Sequence, residues 1–395
     1  MNDNKIPREL LGAILLLIAV GDHARAAGMG YTQTDLVSNG AVPATHIDPN
    51  LINPWGISFF PGASPFWVSD NNAGVSTLYD GTGTAFPAPP ATPLVVDIPS
   101  PTDPTQGGNT GAPTGQVANL TAFSTKAFKI PKPDGTNFGP AFFIFATEDG
   151  TIEAWNTTVP EPDGIPSPNP GLPDDAVIVV DNSPSGAVYK GLAVAVSKRG
   201  EAFLYATNFR SGNIDVFNGN FQPAALRGSF TDPQVTHGYA PFGIQNIGGH
   251  IWVTYALQDK AKHDPVNKPA QGFVSVFNTD GDLLQHFAQH GHLSSPWGVA
   301  KAPASFGQFA GDILVGNFGD GRINAYNPST GHWLGVLSDA DGNPIINQGL
   351  WTVTFSGPPD QTALGADPDT LYITAGLEGP THELAGLFAK ILPNS

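Results

Sequence analysis

The sequence predicts an all-β fold, a six-bladed β-propeller closed by an N-terminal strand that completes the last blade. Three observations predict it. The pattern of Asn53 to Asp80, a Pro-Trp-Gly turn and three short strands rich in β-branched and aromatic residues, returns five more times in degraded form before the C-terminus. No segment beyond residue 26 carries a helical period. The sixth copy stops one strand short, while Asp35-Leu36-Val37-Ser38 precedes the first turn with nothing to pair with, and an N-terminal strand in that place closes a ring and covers its exposed edge.

The units follow in order. The first has Pro54-Trp55-Gly56-Ile57, Phe66 to Asn71 and Gly74 to Asp80, with an outer strand around Leu94 to Ile98. The second is blurred at Gly115-Gln116-Val117 and clear at Phe142 to Asp149, Gly150 to Asn156 and Ala176 to Asp181. The third has Tyr189-Lys190-Gly191-Leu192, Phe203 to Asn208 and Gly212 to Asn218. The fourth has Pro241-Phe242-Gly243-Ile244, Ile251 to Tyr255, Gly272 to Asn278 and, after an Asp-Gly hairpin turn, Leu283 to Phe287. The fifth has Pro296-Trp297-Gly298-Val299, Ile313 to Phe318, Gly321 to Asn327 and Trp333 to Leu337. The sixth has Gly349-Leu350-Trp351-Thr352, Leu371 to Gly376 and Gly386 to Ile391. The turn glycines at 56, 115, 191, 243, 298 and 349 are expected to let neighbouring inner strands approach near the axis. The aromatics beside them, Trp55, Tyr189, Phe242, Trp297 and Trp351, are expected to pack between blades. Two Pro- and Gly-rich insertions, around 101–114 and 160–173, lengthen the loops.

Composition bounds the rest. Leu10 to Val20 is an apolar run ending near a small-x-small site, Ala24-Arg25-Ala26, as in a secretory signal peptide, so residues 1–26 are expected to be a leader and 27–395 a single domain. The run is too short to span a bilayer, and no membrane insertion is expected after cleavage near Ala26. The expected location is secreted or periplasmic. The net charge of −17 opposes binding to nucleic acid or anionic membranes. With no cysteine the chain must rely on its core, and with 13 % charged residues and 47 glycines and 38 prolines it reads as turn-rich β structure.

The blocks NPWGISF, WVSDNNAG, SSPWGVA, ILVGNFGDGRINAYN and GLWTVTF followed by DTLYITAG resemble an exported bacterial family, the PEP-CTERM-associated conserved hypothetical proteins, and the architecture is similar to NHL-type six-bladed propellers. The resemblance covers essentially the whole chain after the leader and transfers no activity. Many members of that family end in a sorting tail with a Pro-Glu-Pro motif. This chain ends Leu392-Pro393-Asn394-Ser395 without one, so release after export is expected.

No familiar catalytic signature is present: there is no G-x-S-x-G, no H-E-x-x-H, no phosphate loop and no cysteine nucleophile. Asp339-Ala340-Asp341-Gly342-Asn343 lacks the spacing of a calcium loop and reads as a turn. Topology is the better guide, because the loop after the second strand of each blade and the loop entering the first strand share one end of the ring. They contribute Asp70, Asn71 and Asn72, Glu148 and Asp149, Asn208, Asp259 and His263, Asn317, His382 and Glu383, then His46 and Asp48, His237, His292 and Asn347. His46, Asp48, Asp70, Asn71, Asn72, Glu148, Asp149, Asn208 and Asn317 are the candidate ligand-binding residues, with the competing reading that Asp and Asn in such turns cap strand ends. His237 and His292 are the candidate catalytic residues, and with His382 and Glu148 they are candidate ligands for one divalent metal, calcium, zinc or manganese. His286, His290 and His292 form an H-x-x-x-H-x-H run that is a weaker metal candidate.

Three functions fit these residues: a monomeric propeller binding an extracellular small molecule, glycan or protein on one face; a metal-dependent hydrolase or lyase acting on a small ester, lactone or sugar at the channel mouth; and a structural matrix protein, which the missing tail disfavours. The enzyme question stays open at this level.

Overall fold

The computed structural model describes residues 30–62, 64–102, 110–160, 167–377 and 384–394. The expected leader lies outside them, as do parts of both long insertions. Strand β1 (Tyr31–Ser38) and the short β2 (His46–Ile47) precede the first blade. Blade 1 is β3 (Pro54–Ser58), β4 (Phe66–Asp70), β5 (Val75–Tyr79) and β6 (Val95–Asp97). In blade 2, β7 (Pro113–Ala118) pairs with β10 (Phe143–Thr147), then β11 (Thr151–Trp155) and β12 (Val177–Asp181); a hairpin of β8 (Lys129–Pro131) and β9 (Asn137–Pro140) is inserted after β7.

Blade 3 has three strands, β13 (Tyr189–Val196), β14 (Ala202–Asn208) and β15 (Asn213–Asn218). Blade 4 is β16 (Tyr239–Ile247), β17 (His250–Leu257), β18 (Phe273–Phe277) and β19 (Leu283–Gln289). Blade 5 is β20 (Pro296–Lys301), β21 (Ile313–Asn317), β22 (Ile323–Tyr326) and β23 (Trp333–Val336). Blade 6 is β24 (Leu350–Phe355), β25 (Leu371–Ala375) and β26 (Leu387–Pro393), and β1 pairs antiparallel with β26 as its outermost long strand, Tyr31 opposite Pro393 and Ser38 opposite Leu387. The ring is closed by the strand the sequence left over, which also leaves β26 without a free edge.

One irregularity recurs in every inner strand. The pairing register skips between Pro54 and Ile57, Pro113 and Gln116, Tyr189 and Gly191, Pro241 and Ile244, Pro296 and Val299, and Leu350 and Val353. A bulge bends the strand and re-aims the skipped side chain. The skipped positions are therefore the axial ones: Trp55, Thr114, Lys190, Phe242, Trp297 and Trp351.

The glycine that follows meets the next blade's backbone, and a Cβ built on Gly243 would lie 2.0 Å from the Trp297 carbonyl oxygen. Two sequence alignments need correction here. In the sixth blade Thr352, not Gly349, holds the glycine position, and its Oγ1 donates to the Trp55 carbonyl across the closing seam at 2.7 Å. In the third, Tyr189 pairs with Asn208 within the sheet, and Lys190 holds the aromatic's place.

Candidate functional site

The axis is packed. Trp55 and Trp351 stack with centroids 3.4 Å apart, Trp297 meets both edge-on at 6.1 and 5.9 Å, and Phe318 stacks on Trp351 at 4.1 Å. Phe209 and Phe242 complete this buried cluster. Each such pair adds about 0.5–1.5 kcal/mol beyond the area it buries, so rings that could have lined a channel instead fill it. The open part of the axis is at the other end, a cavity of about 320 Å³ bordered by residues 57–59, 116–118, 193–194, 245–246 and 354–355.

Lys190 breaks the aromatic ring of positions. Its side chain is 1 % exposed, its Nζ lies 5.3 Å from the Trp55 ring and 5.9 Å from Phe209, and it donates to Glu148 and, at 3.3 Å, to Asp264. An ammonium taken out of water needs such partners. Glu148 follows β10 and is held from its other oxygen by Asn71 Nδ2 at 3.1 Å. Asp264 comes from the long loop after β17, which turns on Asp259: its Oδ1 accepts from the backbone N–H groups of His263 and Asp264 at 2.8 and 3.3 Å. His263 Nδ1 lies 2.9 Å from Asp264 Oδ1. Blades 2, 3 and 4 thus each send charged groups to one place over the rings.

The electrostatics follow from these contacts. The hydrogen bond from His263, with Lys190 nearby, depresses the Asp264 carboxyl to about 2, although partial burial works against this. The same hydrogen bond raises His263 above its ordinary value, against burial and the Lys190 charge. Asp149, beside Glu148, is pushed up chiefly by burial while its Oδ2 accepts from the Ala112 N–H at 2.7 Å.

The structure distributes the other candidates widely. Asn71 joins Glu148, and Asn72 Oδ1 accepts from Asn53 Nδ2 at 3.2 Å. Asp70 is fully buried against Thr77, turned away from solvent. Asp48 caps the Asn50 N–H and accepts from the Tyr79 hydroxyl at 2.9 Å, and His46 sits half-buried in β2. Asn208 donates to Asp215 and accepts from the Ser211 N–H, while Asn317 holds the His292 carbonyl and Asp320. The bonds of Asp48, Asn208 and Asn317 to backbone groups are of the strand-end capping kind.

The histidines disperse. His237 is exposed, and exposed His292 stacks on Trp333 at 3.8 Å. His286 Nδ1 lies 2.7 Å from Asp232, and His290 packs on Phe273, so the H-x-x-x-H-x-H run points three ways. His382 and Glu383 lie outside the described residues. The 339–343 segment is a turn, with Asp339 Oδ1 accepting from the Asp341 and Asn343 N–H groups.

Among the described residues, the group of three or more metal-type side chains that comes together is Glu148, His263 and Asp264, with donor atoms within 4.8 Å of one another. Of the set drawn from sequence it contains Glu148; His237 and His292 are not among its members, and His382 lies outside the described residues. Three donors suit a divalent ion in number. The Lys190 ammonium, however, already engages both carboxylates, so an ion bound there has to displace it.

No family model matches the chain. The uncharacterized protein R648 of Acanthamoeba polyphaga mimivirus is 32 % identical over 363 residues, covering 90 % of this chain and 79 % of its own length. Uncharacterized protein L690 of the same virus is 30 % identical over 362 residues, covering 90 % and 84 %. The soluble aldose sugar dehydrogenase from Escherichia coli, solved in its apo form, superposes with a TM-score of 0.50 at 11 % identity, over 92 % of this chain and all of that one, a likeness of fold alone. The relatives are viral, and they lend no support to the bacterial family that the sequence blocks suggested. At this identity and coverage the chain belongs to one family with the mimivirus proteins R648 and L690.

Proposed function

We propose that the protein is an exported binding propeller that holds a polar extracellular ligand, a glycan or another hydroxylated small molecule, over the axis at the Glu148 end. The observation that carries this reading is the convergence of Glu148, Lys190, His263 and Asp264 from three blades. Lys190 and Glu148 form the inner, desolvated layer, and Asp264 and His263, 64 % and 39 % exposed at their side chains, present an acceptor and a donor to solvent. Hydroxyl groups can use both at once. The charge of −17 directs the site away from polyanions.

Calorimetry and thermal melting with a panel of neutral and acidic sugars test this. Asp264→Ala and His263→Ala, both at partly exposed positions, are expected to weaken the sugar that binds by about tenfold each, the scale of one charge-assisted hydrogen bond. Equal affinity in wild type and both variants would place the ligand elsewhere.

The clustering of Glu148, His263 and Asp264 donors favours a second reading, a metal-dependent hydrolase or lyase acting on a small ester, lactone or sugar. These three would hold calcium, zinc or manganese, which supplies polarisation of a carbonyl and a more acidic bound water. Lys190→Met removes the competing charge, so it is expected to raise divalent-ion affinity. An ion at about 100 times its Kd adds about 2.7 kcal/mol of stability. If neither wild type nor Lys190→Met melts higher with any of the three ions, the metal reading fails.

A further inference from the structure

At the opposite end of blades 1 and 2 from Glu148 lies a cavity of about 460 Å³. Its walls are ring-rich: Trp67 of β4, Phe142 and Phe143 at the start of β10, Trp155 of β11, and Phe60 and Phe123 from the loops after β3 and β7. We infer that this cavity is a binding site for a compact, uncharged aromatic molecule, distinct from the polar site over the axis.

Three observations point there. The first is the lining. Ser64 brings the one side-chain hydroxyl among the described lining residues, and it is spent on the Pro65 carbonyl at 2.9 Å and the Phe60 N–H at 2.8 Å. The Trp155 Nε1 donates to the Pro173 carbonyl at 2.8 Å. A charged or hydroxyl-rich ligand would find few partners among the described lining groups to replace its hydration, which disfavours sugars at this site. The volume falls in the range of about 300–1,000 Å³ usual for small organic ligands.

The second is Phe123. It is 73 % exposed, yet it is held in place by Phe60 at 5.6 Å and Phe142 at 5.4 Å. An exposed phenyl ring at a cavity mouth costs solvation that a bound apolar molecule recovers.

The third is how Phe123 is held. Asn119 at the start of its loop donates from Nδ2 to the Ala127 and Ala141 carbonyls and accepts from Thr121. Lys126 and Phe128 in the same loop have φ of +56° and +60°, a left-handed conformation that non-glycine residues rarely adopt without compensation. The segment is built rather than loose, and it presents Phe123 to the opening.

Rings favour an aromatic occupant over an alkyl chain, because Phe60 already offers its face and edge to Phe123, Phe142 and Phe143 at 62–86°. The lining also suits no charged segment of a partner protein.

The test is titration of the full chain with N-phenyl-1-naphthylamine, an uncharged aromatic probe whose emission brightens in apolar surroundings. Saturable one-to-one binding is expected, with energy transfer from tryptophan. Phe123→Ala is expected to raise the Kd about tenfold, the scale of one lost ring pair with its buried area, and Phe123→Trp to retain affinity. Leu172→Trp, which fills the cavity from a half-buried lining position, is expected to abolish binding at unchanged melting temperature. Leu284→Ala, at an exposed apolar residue of blade 4, is the control and leaves binding unchanged.

Non-saturating binding overturns the proposal, and so does binding that survives both Phe123→Ala and Leu172→Trp. A concentration-dependent dimer in sedimentation that Phe123→Ala dissolves would also overturn it, by making this face a contact between copies of the chain. None of these outcomes bears on the polar site, since no residue is shared.

Discussion

Asp70 and Glu153 are fully buried, each with one oxygen accepting from a threonine hydroxyl, Thr77 at 2.7 Å and Thr151 at 2.8 Å, and the other oxygen without a partner. Burial raises both carboxyls well above their ordinary range. A raised folded value means their stability contribution is fully present below the unfolded carboxylate value, about 4, and is lost as pH rises through the folded one. Asp70→Asn keeps an acceptor for Thr77 and removes the charge. It is expected to stabilise the protein by about 1 kcal/mol at pH 8 and to change little at pH 4, measured by urea unfolding at both; a variant less stable at pH 8 would show the carboxylate is needed charged. The His263 and Asp264 pair has the other profile. Raised His263 helps below about pH 6.5 and depressed Asp264 helps above about pH 4, so the pair supports the fold most between those values. Solvent exposure keeps its contribution below about 1 kcal/mol, and His263→Ala is expected to flatten only that window of a stability profile.

At the scale of the strand, the inner-strand bulge decides what reaches the axis. Gly243 shows the constraint most sharply, since any Cβ there would strike the Trp297 carbonyl oxygen at 2.0 Å. Gly243→Ala is expected to cost at least about 3 kcal/mol, or to prevent folding, whereas Gly212→Ala, whose Cβ would meet open space at φ +77°, should cost about 1 kcal/mol. Comparable losses in denaturant midpoints at both sites would refute the close-approach account. The strands themselves were legible because β-branched and aromatic runs alternate with Gly, Pro, Asn and Asp. The axial register was less so: a bulge consumes one residue without changing the composition around it, and Tyr189 beside Lys190 drew the aromatic role to the wrong position. The signal was present, a lysine where other repeats carry Trp or Phe.

For the whole molecule, closure is the controlling event. β1 pairs with β26 along its length, and Thr352 and Thr374 hydroxyls donate to the Trp55 carbonyl at 2.7 and 2.6 Å, so both the outer strand and the axis lock blade 6 to blade 1. Removing residues 30–38 is expected to lower the melting temperature by at least about 10 °C and to broaden the transition, because the opened ring exposes the β26 edge. Calorimetry reads both quantities; an unchanged single transition would show that the axial contacts alone close the ring.

The sequence alone determined the six repeats, the closing strand and the acidic, cysteine-free composition, because periodicity and strand punctuation are local properties that survive divergence. It also pointed to Glu148 and His263 as loop residues at one end of the ring. Only the tertiary structure decided that the rings of five blades fill the axis, that Lys190 pairs with both Glu148 and Asp264 there, that the described histidines scatter, and that an aromatic cavity opens at the far end of blades 1 and 2. Those outcomes depend on which side chain each bulge turns inward and on contacts between residues tens of positions apart, from Glu148 to Lys190 and on to Asp264, which no local pattern records.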